Sequence, residues 1–199
     1  MDEKTLRSLS PLDGRYHEKT EVTREIFSEL GLIKHRLKVE VEWLNYFLNN
    51  FREDLLTLEV TKQLNELSSE LPDSLALRVK EIEKTTNHDV KAVEYFLKEK
   101  MTDLGLERYL EFIHFGLTSQ DINNTAVPLS LKEGINAVYL PLLNDVIAKI
   151  KELETEWKDV PMLARTHGQA ASPTRLGKEL KVFRERLELQ KATLLIMVF

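Results

Sequence analysis

Apolar residues recur at helical spacing along almost the whole chain. The clearest run is Ile33, Leu37, Val41, Leu44 and Leu48, spaced by four, four, three and four, which forms one stripe facing a core. Before it, a segment from about 19 to 30 puts Val22, Ile26, Phe27 and Leu30 on one face, and Gly31 is expected to separate the two. Asp73 or Ser74 is placed to cap a helix carrying Leu75, Val79 and Ile82. Asp89 is placed to cap the next, with Val90, Val93 and Leu97 on one face and Ala92 and Phe96 beside them. A short helix from about Glu107 to Phe115 ends at Gly116. Ser119 opens a helical region reaching about Trp157, in which Pro128 and Pro141 should kink or break the helix because each lacks a donor. Ser172 followed by Pro173 reads as a cap and a first-turn proline, starting a helix that runs to Phe199. The expectation is an all-α fold with the last helix cut off in mid-pattern, so the chain reads as a fragment.

Composition narrows the function classes. Of 199 residues, 42% are hydrophobic and 31% charged, which suits a folded core rather than disorder. The net charge of -5 comes with no basic run, which argues against nucleic-acid and membrane partners and leaves room for a local basic site. The absence of cysteine excludes disulfides and thiolate metal ligands. The longest apolar run, Leu194 to Phe199, is far short of a membrane span.

Four polar stretches are left over once the helices are accounted for: Asp13-Gly14-Arg15-Tyr16, Thr85 to Asp89, Thr118 to Asp121, and Arg165 to Gln169. Helix ends of this kind can offer backbone N–H groups and short polar side chains to an anion. His167, beside Gly168, can exchange a proton near neutral pH, or it is one ring in a polar loop between two helices. Five hydrogen-bonding side chains run from Thr85 to Asp89 at a helix start. They suit a carboxylate or phosphate, or Asp89 simply caps and His88 packs on it. Thr118-Ser119 reads as an ordinary helix start on its own. Arg15 is either a phosphate fork or a surface arginine. His17, His35 and His114 have no comparable company and read as structural. No metal-ligand spacing, glycine-rich phosphate loop or Gly-x-Ser-x-Gly elbow is present.

Together the stretches resemble one family in order. Ser10-Pro11-Leu12-Asp13-Gly14-Arg15-Tyr16 resembles the opening signature of bacterial adenylosuccinate lyases. Glu83 to Phe96 and Glu111 to Asn124 are similar to the same enzymes, while Arg165-Thr166-His167-Gly168-Gln169 is shared across the fumarase and aspartase superfamily. The resemblance implies a cytoplasmic enzyme that eliminates fumarate from adenylosuccinate, giving AMP, and from the succinyl-aminoimidazole-carboxamide ribotide, with no cofactor and no metal. It implies that His167 is the general acid and that His88 orients it or the substrate. Asn87 and Asp89 would lie in the same binding loop. Thr118, Ser119 and Thr166 would hold the succinyl carboxylate, and Arg15 and Tyr16 the phosphate of the nucleotide substrate. It further implies an N-terminal helical domain over 1–109, the beginning of a long-helix bundle domain over 110–199, and a homotetramer whose active sites draw on three subunits. The family's serine base belongs to a loop that this chain does not contain, so the chain alone is expected to be inactive. The rivals are another lyase of the superfamily, such as argininosuccinate lyase or fumarase, and a non-catalytic helical assembly protein descended from a lyase.

Overall fold

The computed structural model describes residues 6–55, 57–69 and 72–198. Helices dominate: α1 (Glu21–Phe27), α2 (Glu29–Phe51), α3 (Leu58–Ser69), α4 (Asp73–Thr86), α5 (Asp89–Asp103), α6 (Ser119–Gly134), α7 (Leu140–Glu156) and α8 (Leu176–Val198). Short 3-10 turns cover Glu18–Thr20, Glu53–Leu55 and Glu107–Phe112, and a π-helical turn covers Ile135–Tyr139. Between α7 and α8 lies an antiparallel pair, β1 (Pro161–Thr166) and β2 (Gln169–Arg175). The fold is all-α with this one hairpin added.

The chain divides into two compact units, Met1–Gly134 and Ile135–Phe199. In the first, the stripe of α2 is fully used: Ile33, Leu37, Val41, Leu44 and Leu48 are all buried. They share one core with Val60 and Leu64 of α3, Val79 and Ile82 of α4, and Ala92, Val93, Phe96, Leu97 and Met101 of α5. Burying a side chain of this size stabilises by about 1.5–3 kcal/mol, so this core is what carries the polar loops at the helix ends. In the second unit α7 packs on α8, joined by Arg184, whose Nε donates to Glu154 at 2.7 Å. Among the described residues no helix is long and apolar enough to cross a membrane.

Several sequence expectations are corrected. The helix break falls at Ser28, whose hydroxyl accepts the Gly31 N–H at 3.2 Å as an N-cap. Gly31 sits inside α2 because a Cβ there would run into the Ile26 carbonyl; the glycine permits close approach rather than ending a helix. Of the residues placed on one face of the first segment, Ile26 is buried but Val22 and Phe27 are exposed. Pro72 takes the cap position of α4, so Asp73 and Ser74 fall in its first turn. Pro128 does not end α6, and Pro141 stands in the first turn of α7, where its missing donor costs nothing. Ser172 and Pro173 lie in β2, and α8 starts only at Leu176.

Candidate active site

α4 ends in Asn87, whose backbone is left-handed (φ 51°, ψ 34°), a region asparagine tolerates better than most residues. The turn leaves His88 extended and at the N-cap of α5. The cap is therefore His88 and not Asp89, which is the first helical residue. His88 Nδ1 accepts the Lys91 N–H at 3.2 Å. A ring nitrogen that accepts carries no proton, so the neutral ring keeps its proton on Nε2. Nε2 lies 3.2 Å from Ser119 Oγ. Ser119 thus receives that proton as an acceptor and keeps its own O–H to donate.

Asp89 makes its hydrogen bonds elsewhere. Its Oδ1 accepts the Val90 N–H at 2.8 Å and its Oδ2 meets Arg36 Nη2 at 2.6 Å. Burial pushes this carboxyl up, but the Val90 N–H and the Arg36 guanidinium outweigh it and hold Asp89 below the usual carboxylate range. A cleft of about 600 Å³ opens here, lined in part by Arg36, Lys84, Asn87, His88 and Asp89.

The second stretch reaches the same place from α6. Thr118 N–H and hydroxyl both donate to Asp121 Oδ2, at 2.7 and 2.9 Å, one half of a capping box. These contacts hold the Asp121 carboxyl below its ordinary range. The Thr118 donors are therefore engaged by a carboxylate of the chain itself, and the Ser119 hydroxyl is the one turned toward His88.

Arg15 and Tyr16 lie in a string of turns knitted by Asp13 and Gly14 N–H groups on the Ser10 carbonyl, at 3.1 and 3.0 Å. Both side chains are exposed and line a separate hollow with Ser8 and Ser10. Thr166 and His167 belong to the second unit. His167 (φ 52°) and Gly168 (φ 76°) form the two-residue turn of the hairpin, closed by the Thr166–Gln169 pair. Two successive positive φ values match the right-handed twist of the strands. His167 is thus an exposed hairpin tip, where the sequence suggested a loop between helices.

The structure thus brings His88, Asn87, Asp89 and Ser119 together, with Thr118 adjacent. It also adds residues that motif reading passed over. Arg36, 7% exposed, bonds Asp89 and, through Nε, Asn123 Oδ1 at 2.9 Å. Glu40 is completely buried, with Oε1 2.6 Å from His114 Nδ1. His114 has a left-handed backbone (φ 58°) in the turn leading to Thr118. The usable signal was polar residues 36 and 40, one turn apart beside the apolar stripe of α2.

A family model described as a lyase matches residues 14–197. Similar structures include a fumarate lyase from Mesorhizobium sp. BNC1, with a TM-score of 0.69 at 21% identity, covering 87% of this chain and 39% of that one. A β-carboxy-cis,cis-muconate cycloisomerase from Acinetobacter calcoaceticus sp. ADP1 gives a TM-score of 0.63 at 18% identity, over 84% and 38%. The chain shares the helical fold of these structures. The chain belongs to the lyase family. Among sequences, adenylosuccinate lyase of Dictyostelium discoideum is 49% identical over 93% of this chain and 41% of its own length. That of Vibrio cholerae is 46% identical over 96% and 42%, and that of Escherichia coli K12 is 43% identical over 96% and 42%. The chain spans about two fifths of the length of these relatives.

Proposed function

We propose that this chain is part of an adenylosuccinate lyase that eliminates fumarate from adenylosuccinate and from the succinyl-aminoimidazole-carboxamide ribotide. The observation that carries the reading is the His88–Ser119 contact, at 3.2 Å beside the cleft. It joins two motifs 31 residues apart in sequence, in a chain whose similar sequences include several adenylosuccinate lyases.

In this reading Thr118 and Ser119 hold the substrate's succinyl carboxylate, and a Thr166 adds a donor from whichever subunit supplies it. Charge builds on that carboxylate as the neighbouring C–H is broken, and fixed donors lower the barrier to that step. Thr118 would release Asp121 to take part. His167 protonates the departing nitrogen, and its place at a hairpin tip leaves the ring exposed for that role. His88 orients the substrate through its Nε2–H, and Asn87 and Asp89 shape the same loop. Arg15 and Tyr16 bind the phosphate. No cofactor enters this chemistry. The same reading makes 1–109 the N-terminal domain and 110–199 the start of the bundle domain of a cytoplasmic homotetramer.

The test is His167→Ala in the natural gene product. Turnover of adenylosuccinate should fall by about 100- to 10,000-fold, the usual loss on removing a general acid, with the thermal midpoint and oligomeric mass unchanged. Near-parental turnover would overturn the assignment. Assays with argininosuccinate and malate run alongside: release of fumarate from either, in place of adenylosuccinate, would move the chain to another lyase of the superfamily.

A further inference from the structure

The inner face of α2 is apolar except where His35, Arg36 and Glu40 interrupt it. Arg36 is buried, yet its guanidinium reaches two other helices: Asp89 Oδ2 at the start of α5, at 2.6 Å, and Asn123 Oδ1 on α6, at 2.9 Å. These are the helices that begin beside His88 and at Ser119. The other oxygen of the same carboxylate, Asp89 Oδ1, is 3.6 Å from His88 Nδ1. That nitrogen accepts the Lys91 N–H. A carboxylate free to turn toward Nδ1 would compete for that position, because a charged acceptor outbids a neutral contact. It would draw the ring proton onto Nδ1. Nε2 would then become an acceptor, and its donation to Ser119 would be lost.

We propose that Arg36 is a positioning residue: by holding the Asp89 carboxylate off His88 Nδ1, and by tying α5 to α6, it keeps the His88 proton on Nε2, facing Ser119. Two features favour this over simple packing. A planar guanidinium offers donors in fixed directions and can hold two acceptors on different helices at once. The two acceptors also flank the His88–Ser119 contact rather than lying elsewhere on the core. The inference rests on the reading of His88 and Ser119 as substrate-binding residues only for its effect on turnover; the state of the ring is independent of it.

The experiment labels histidine rings with ¹⁵N in the natural protein and assigns the His88 signals by their loss in His88→Gln. The parent should show Nδ1 unprotonated and Nε2 protonated. In Arg36→Met the proton should move wholly or partly to Nδ1, and in Arg36→Met/Asp89→Asn it should return to Nε2, since an uncharged amide attracts it less. Arg36→Lys keeps one charge on Asp89 but cannot also hold Asn123, so it should be intermediate; it serves alone if the methionine variant does not fold. kcat should fall by about 10- to 100-fold in Arg36→Met, with a smaller change in KM. That is less than the roughly 10,000-fold cost of a wrong tautomer where the ring itself transfers the proton. Leu64→Ala, a core truncation, should lower the melting temperature without moving the His88 signals. An Nε2–H ring in both Arg36 variants would overturn the proposal, as would the same spectral change in Leu64→Ala. A ring that moves as expected, with no effect of His88→Gln on turnover, would instead count against the lyase reading while leaving Arg36 its positioning role.

Discussion

A buried charged side chain destabilises a core unless its surroundings match it, and Glu40 is matched on one side only. Oε1 bonds His114, while Oε2 is buried without a hydrogen-bond partner. Burial raises the carboxyl above its ordinary value of 4.5; the His114 hydrogen bond and charge pull it down, the Glu94 charge adds to the rise, and Lys91 opposes it, the balance being upward. The sign follows from linkage. The folded chain holds this proton more tightly than the unfolded chain, so ionised Glu40 costs stability above its unfolded value and nothing well below it. Glu40→Gln removes that cost. The difference in melting temperature, variant minus parent, should therefore shift toward the variant between about pH 4 and about pH 7. Melting curves at both values check this, and a shift in the opposite sense would mean that the charged contact with His114 outweighs burial. Residue types told part of this story. His88 and Ser119 could be picked from the chain as polar residues at helix starts, whereas Arg36 and Glu40 showed only as polar positions beside the apolar stripe, and the partners of Arg36 and His114 could not be read, being 87 residues away for Asn123, 53 for Asp89 and 74 for Glu40.

At the scale of elements, helix positions were legible because apolar spacing is local, while helix ends were less so because several residues compete for each cap. Gly31 shows the limit. Helix propensity alone says that alanine there should stabilise by about 1 kcal/mol. The packed neighbour says otherwise, since the added Cβ would meet the Ile26 backbone carbonyl, which cannot swing aside. Gly31→Ala should lower stability by about 1–3 kcal/mol, the usual cost of overpacking, read as a lower midpoint in urea. An unchanged or higher midpoint would show that α1 shifts without strain. Gly168 is the converse: its Cβ would meet open space, but its backbone has φ 76°. That hairpin was missed because Ser172-Pro173 imitates a helix start, and the strands lack a run of β-branched residues. The His167-Gly168 pair, flanked by Thr166 and Gln169, was the turn signal available. Pro173 fits the strand because a two-stranded ribbon has only edges.

The second unit is scarcely a core by itself. Among its described residues Ile147 and Gly177 alone are buried, while Leu142, Val146, Phe183 and Leu189 are exposed, Leu189 to 65%. Apolar surfaces of this extent on long helices call for further packing. The proposed homotetramer would supply it, with α7 and α8 entering a shared bundle. Sedimentation of the natural protein should give four times the mass of one subunit, and Leu189→Glu should lower that mass and, if the proposed sites draw on several subunits, the activity with it. A monomeric parent would remove the tetramer. A tetrameric, fully active Leu189→Glu would place the interface elsewhere on the bundle.

Local information in the chain was enough for the helical class, the apolar stripe of α2, the four polar stretches and, through them, the lyase family. Each of these depends on residues within a few turns of one another. Tertiary structure alone decided that the His88 ring meets Ser119, that Arg36 ties Asp89 to Asn123, and that Glu40 is buried against His114 with one oxygen unmatched. Those outcomes depend on which distant groups reach a given atom, and hydrogen-bond geometry and burial are set only when the helices have packed.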